Sequence, residues 1–125
     1  MPRKIITPQG TPQPIAPYSW ATQAGNLIFV SGQASLDQDG KIVGPGDIRR
    51  QTEQTLENIR ITLEAAGATF DDVVKTTVWI TDIAEYAGMN EVYRRYFPEG
   101  PPARATLITA LVMEGLLVEI DAIAA

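Results

Sequence analysis

Two helical segments have to serve five or six strand-like ones, and that ratio limits the fold of this chain more than any other feature. The long helix opens at Asp47 as N-cap and carries Leu56, Ile59, Leu63 and Ala66 at spacings of three and four until Gly67 stops it. Ile48 extends that apolar stripe, while Arg49, Glu53, Glu57, Arg60 and Glu64 form the opposite, solvated face. A short helix from about Glu85 to Tyr96 is ended by Pro98, Pro101 and Pro102. Strands are read at Lys4 to Thr7, as a hairpin within Trp20 to Gln33 turning at Gly25-Asn26, at Lys41-Ile42-Val43, and at Val73 to Thr81. The final two, Arg104 to Leu111 and Leu116 to Ala124, are joined as a hairpin around Glu114-Gly115. The order β-β-β-α-β-α-β-β predicts an α+β fold: a mixed sheet of five or six strands with two helices on one face. Alternation in the last strand puts Val118, Ile120 and Ala122 on one side and Leu117, Glu119, Asp121 and Ile123 on the other, so both sides carry apolar residues. Two helices cannot cover the second face, and an apolar face left open predicts burial against further copies of the chain, a homo-oligomer.

With 125 residues, 45% of them apolar, the chain is expected to be a single domain over 1–125 that builds its core without staples. Cysteine and histidine are both absent. That excludes disulfides, zinc sites and nucleophile–histidine pairs, and leaves carboxylates as the only charged ligands for a hard cation. Ten basic residues against fifteen acidic ones give a net charge of −5, which opposes accumulation on polyanions, so no nucleic-acid partner is expected. Five prolines in the first 17 residues interrupt any signal-like apolar run, and nowhere do 18 apolar residues run together. No membrane association and a cytoplasmic location are expected.

Chemistry therefore rests on Arg, Glu, Asp, Tyr and small residues at irregular backbone. In Pro101-Pro102-Ala103-Arg104-Ala105-Thr106, two prolines stiffen the approach to a strand and deliver an arginine at its first residues. Such an arginine is either an ordinary solvated strand end or a planar fork matched to a carboxylate. Glu119 and Asp121 share one face of an otherwise apolar strand, as a structural or edge pair or as a carboxylate able to orient an attacking water. Ser31-Gly32, at the end of Ile28-Phe29-Val30, is a turn or a place of close backbone approach to a ligand. Tyr18, after Ala16-Pro17, and Asn90, in the short helix, are interface or capping residues or part of a pocket.

In order and number these segments resemble the RidA/YjgF family of small reactive-intermediate deaminases along nearly the whole chain. The matching stretches include Ala16-Pro17-Tyr18-Ser19, Val30-Ser31-Gly32-Gln33, Met89-Asn90-Glu91-Val92-Tyr93, Pro102-Ala103-Arg104-Ala105-Thr106 and Val118-Glu119-Ile120-Asp121-Ala122-Ile123-Ala124. The resemblance implies a chorismate-mutase-like fold and a homotrimer with three pockets at subunit interfaces. It further implies hydrolysis of 2-imino acids and their enamine tautomers (2-iminopropanoate, 2-iminobutanoate) to 2-oxo acids and ammonia, with no cofactor. By motif position Arg104 is the grip on the substrate carboxylate and Glu119 positions the water. Tyr18, Ser31, Gly32 and Asn90 match pocket residues, and Thr106 stands where the family often has Cys and contributes mainly a backbone N–H. Related activities remain open: deamination of aminoacrylate or 2-aminomuconate, or 2-oxo acid binding without turnover. Ribonuclease or holdase roles are also attached to the family, and the charge of −5 argues against RNA. Where the chain departs from the pattern, Trp20 is expected at the pocket mouth, Trp79 in the core, and Val112-Met113 in a reshaped last hairpin.

Overall fold

The computed structural model describes residues 2–125. In chain order it contains β1 (Lys4–Ile6), β2 (Ala21–Ala24), β3 (Leu27–Ala34), α1 (Ile48–Ala65), β4 (Val73–Ile80), α2 (Tyr86–Tyr96), β5 (Ala103–Ile108) and β6 (Val118–Ala124). Single 3-10 turns at Phe70–Asp72 and Ile83–Glu85 lead into β4 and α2. The strands form one mixed sheet in the order β1-β2-β3-β6-β4-β5. Every pairing is antiparallel except β4 with β5, which α2 connects as a parallel crossover. Both helices lie together against one face, as the two-helix ratio requires.

The buried layer alternates as a half-covered sheet must. Ile28, Val30, Val78, Ile80, Val118, Ile120, Ala122 and Ala124 point at the helices and are sealed under Leu56, Ile59 and Leu63 of α1 and Met89 and Tyr93 of α2. The two helices approach closely at Gly88, where a Cβ would come within 2.7 Å of the Ile48 side chain. Asp47 caps α1 by accepting from the Arg50 amide at 3.1 Å, and Gly67 ends it at φ +78° while Ala68 N–H closes on Leu63 O at 2.9 Å. The other sheet face is open: Ile5, Leu27, Phe29 and Leu107 are between 40% and 54% exposed.

Three expectations need correction. Lys41-Ile42-Val43 is not a strand; Ile42 makes only one isolated bridge, to Leu36. The turn before it is closed instead by Asp37 Oδ1, which accepts from the amides of Asp39 and Lys41, and by paired Ser35–Val43 contacts. β5 and β6 are not a hairpin. β5 pairs with one edge of β4 and β6 with the other, so the segment between them crosses β4. Trp79 is not in the core but on the open face, in register with Glu119.

A buried polar row on α1 escaped the sequence reading. Gln51, Thr55, Asn58 and Thr62 run at spacings of four, three and four beside the apolar stripe, and all are buried. Gln51 Nε2 donates to Gly44 O and Gly115 O, both at 3.1 Å, while its Oε1 accepts from Leu117 N–H at 2.8 Å. Asn58 Nδ2 donates to Ala34 O and Leu36 O at 2.9 and 3.0 Å. These two amides fasten the loops on either side of the Glu119 strand segment to the helix. Their helical spacing was the available signal, but polar residues at such spacing usually mark a solvated face.

Candidate active site

Glu119 sits half-buried on the open face of β6. β3 bulges between Val30 and Gln33, opposite this part of β6, because Ser31 and Gly32 interrupt the pairing. Gly32 lets the carboxylate lie against the bare backbone: a Cβ there would collide with Glu119 Oε2. Ser31 is set by two bonds to the preceding segment, its amide donating to Trp20 O at 3.0 Å and its Oγ to Ser19 O at 2.6 Å. Burial first, and the negative charge of Asp121 second, push the Glu119 carboxyl above its ordinary pKa. No ion pair among the described residues includes Glu119. Asp121 is held differently, accepting from the Thr77 amide at 2.8 Å.

Tyr18, Ser31, Gly32 and Glu119 line one open cleft of about 520 Å³ together with Ile15 and Val112. Behind it a tighter apolar cavity of about 110 Å³ reaches Glu119 and Gly32 between Trp20, Leu116 and Met113. Trp20 is part of the lining of this cavity, and its indole N–H donates to Pro12 O at 3.1 Å, tying to it the proline-rich lead-in that lines the same cavity.

Arg104 lies elsewhere. In register it accompanies Thr76 and Ala122, on the helix-covered side, whereas Glu119 accompanies Trp79 on the open side. Its guanidinium stacks over the Tyr93 ring, 4.8 Å from the centroid, and over Tyr86 at 5.9 Å, and Nη2 donates to Tyr86 Oη at 3.3 Å. Tyr93 is itself fixed by a 2.7 Å hydroxyl–hydroxyl bond to Thr76. Among the described residues no carboxylate lies within 4 Å of Arg104. The cleft it lines, about 400 Å³, also contains Asn90, Arg94 and Phe97. Thr106 shares the face of Arg104, and its buried hydroxyl has no partner among the described residues. The predicted residues thus fall into two groups on opposite faces of the sheet: Tyr18, Ser31, Gly32 and Glu119 on one, Arg104, Asn90 and Thr106 on the other. Tyr86 and Tyr93 are site residues for which local pattern gave no role. Among the described residues no group of three or more acidic side chains gathers as a metal site, and no helix is long and apolar enough to cross a membrane.

The fold and its clefts define a small α+β protein with an unpaired arginine in a cleft at one edge of the sheet and a half-buried carboxylate on its open face. The chain belongs to the Endoribonuclease L-PSP family, whose model matches residues 9–125. It is 43% identical over 124 residues to the 3-aminoacrylate deaminase RutC of Acinetobacter baylyi, covering 99% of this chain and 98% of the relative. It is 46% identical over 123 residues to a RutC family protein of Pyrococcus horikoshii, covering 98% and 97%. Among solved structures, E. coli TdcF with bound serine superposes with a TM-score of 0.89 at 35% identity over 98% of each chain. The RidA/YjgF resemblance read from the sequence is borne out, as is the fold class.

Proposed function

We propose that the protein hydrolyses the C=N bond of small 2-imino acids and their enamine tautomers, giving 2-oxo acids and ammonia, in a homotrimer with its sites at subunit interfaces. The observation that carries this reading is Arg104: a guanidinium without a carboxylate partner, stacked on Tyr93 and opening into a cleft. A fork so held favours a planar carboxylate over a point anion. Because Arg104 and Glu119 face opposite sides of one sheet, a site using both takes Arg104 from one copy and Glu119 from the next. The exposed Leu27, Phe29 and Leu107 supply an apolar surface for that packing.

Within such a site the chemistry needs little. Water adds to the carbon of the protonated imine while Glu119 takes its proton, giving a carbinolamine. Return of that proton to nitrogen lets the C–N bond break; Glu119 takes the hydroxyl proton as the oxygen becomes the carbonyl, and the departing ammonia picks that proton up as ammonium. A carboxyl whose pKa is raised is a stronger proton acceptor than an ordinary one, which suits it to take the water's proton. Likeness to a 3-aminoacrylate deaminase supports the same chemistry on an enamine acid. The net charge of −5 supports a small acid over RNA as ligand. The test is to add purified protein to a pyridoxal-phosphate-dependent dehydratase releasing 2-iminopropanoate or 2-iminobutanoate. Release of 2-oxo acid should accelerate, and Arg104→Ala should abolish the effect while the trimer persists. Full rate in the variant refutes the mechanism.

A further inference from the structure

We propose that Arg94 gives the Arg104 cleft a second anion position, so that the favoured ligands are short 2-imino and 2-oxo acids bearing a second carboxylate on the side chain. The inference rests on the reading of Arg104 as the grip for the first carboxylate.

Helical geometry aims Arg94 into the cleft. Tyr86, Asn90, Tyr93, Arg94 and Phe97 succeed one another along α2 at spacings of four, three, one and three, and all of them line it. Arg95, one position on, faces the other way and meets Glu91 at 3.9 Å. Glu91 also takes the Arg49 side chain. Although Glu91 is near enough to feel the charge of Arg94, among the described residues no carboxylate lies within 4 Å of Arg94. The lining of the cleft therefore holds two guanidiniums and no acidic residue, in a chain whose net charge is −5. One positive charge suffices for a monocarboxylate. A second, uncompensated in an acidic protein, raises the local potential beyond what a monoanion needs and selects for a dianion. A lone basic residue near a helix C-terminus also complements the dipole, but Arg95 in the same turn already does so. The remaining walls are three aromatic rings, two prolines and the Asn90 amide, which suit a short carbon chain between the two acid groups.

The experiment measures binding of 2-oxobutanoate and of the dicarboxylate 2-oxoglutarate to the intact protein and to Arg94→Gln by calorimetry at low salt, alongside the imine-hydrolysis assay with mono- and dicarboxylic imines. The native protein should bind 2-oxoglutarate about tenfold more tightly, the value of one partly exposed charge-assisted contact, and Arg94→Gln should collapse that ratio toward unity. Equal affinity of the native protein for both acids, no measurable 2-oxoglutarate binding at millimolar concentration, or an equal loss for both ligands in the variant overturns the proposal. The two readings fail separately. A persistent tenfold ratio without turnover of either imine retires the deaminase and keeps the second anion position, while turnover without the ratio does the reverse.

Discussion

Gln51 offers the sharpest stability test, because one fully buried amide closes three hydrogen bonds to two loops. Gln51→Met keeps the length and flexibility of the side chain and removes all three polar contacts. It leaves Gly115 O and the Leu117 amide without a partner and takes one of two donors from Gly44 O, which keeps the Asp47 amide at 3.0 Å, in a place where Gln51 is 0% exposed. An unmade amide bond costs about 2 kcal/mol and each carbonyl, which keeps a spare lone pair for other donors, about 1 kcal/mol. Against that sum of roughly 4 kcal/mol, the thioether gains about 1 kcal/mol from apolar burial, leaving a net loss of about 3 kcal/mol. Urea unfolding at fixed protomer concentration should show it: with a slope of about 1.5 kcal/mol per molar, the midpoint falls by about 2 M. Hydrogen exchange adds a local readout, since the Leu117 amide should lose its protection while those of Val78 and Ile120, in the sheet centre, keep theirs. A midpoint shift under about 0.5 M with Leu117 still protected would refute the reasoning, because it would mean that the loops close on themselves without the helix.

Tyr93 separates platform from bond. Tyr93→Phe strands the hydroxyl of Thr76, 1% exposed, at a cost of about 1–2 kcal/mol but keeps the ring under Arg104. Tyr93→Leu removes the ring and should lower kcat/KM for imine hydrolysis about tenfold; equal kinetic losses in the two variants would count against a cation–ring platform. Gly32→Ala pushes the Glu119 carboxylate off its seat, so 2-oxo acid release should fall about tenfold or more while the melting temperature moves only a few degrees, checked by steady-state kinetics and calorimetry. Glu119→Gln tests the raised carboxyl. Folding disfavours its ionised form, so the stability contributed by the protonated acid is complete below the ordinary value of 4.5 and is lost as pH rises through the higher folded pKa. At pH 7 the glutamine variant should therefore be the more stable protein by denaturant unfolding, and its advantage should shrink as pH falls from 7 toward 4.5; a constant difference across that range excludes the shift.

Most elements were legible locally. Val73–Ile80 and Val118–Ala124 appear where period-two alternation puts them, and α1 begins and ends at the residues whose chemistry demands it, Asp47 and Gly67. Gly32 and Glu119 were candidates for physical reasons that hold in the structure, a bare backbone and an acidic pair, Glu119 with Asp121, on one face of an otherwise apolar strand. Lys41–Val43 failed because three residues between two glycines can satisfy their backbone with side chains of a turn as easily as with a strand. The polar row on α1 failed because nothing local tells a buried Gln51 from a solvated one; its three partners lie 7 to 66 residues away.

Composition and spacing by themselves determined which chemistries were possible and where helices and strands begin, since the absence of His and Cys and the periodicity of side chains are properties of the chain alone. Only the tertiary structure decided strand order, because pairing depends on which edges meet after α2 carries β5 to the far side of β4 and β6 is inserted between β3 and β4. That insertion turns Arg104 toward the helices and Glu119 away from them. Residue types are written along a line, but the side of a sheet on which a group emerges is fixed by register between strands distant in sequence, a cooperative outcome that no window of neighbouring residues contains.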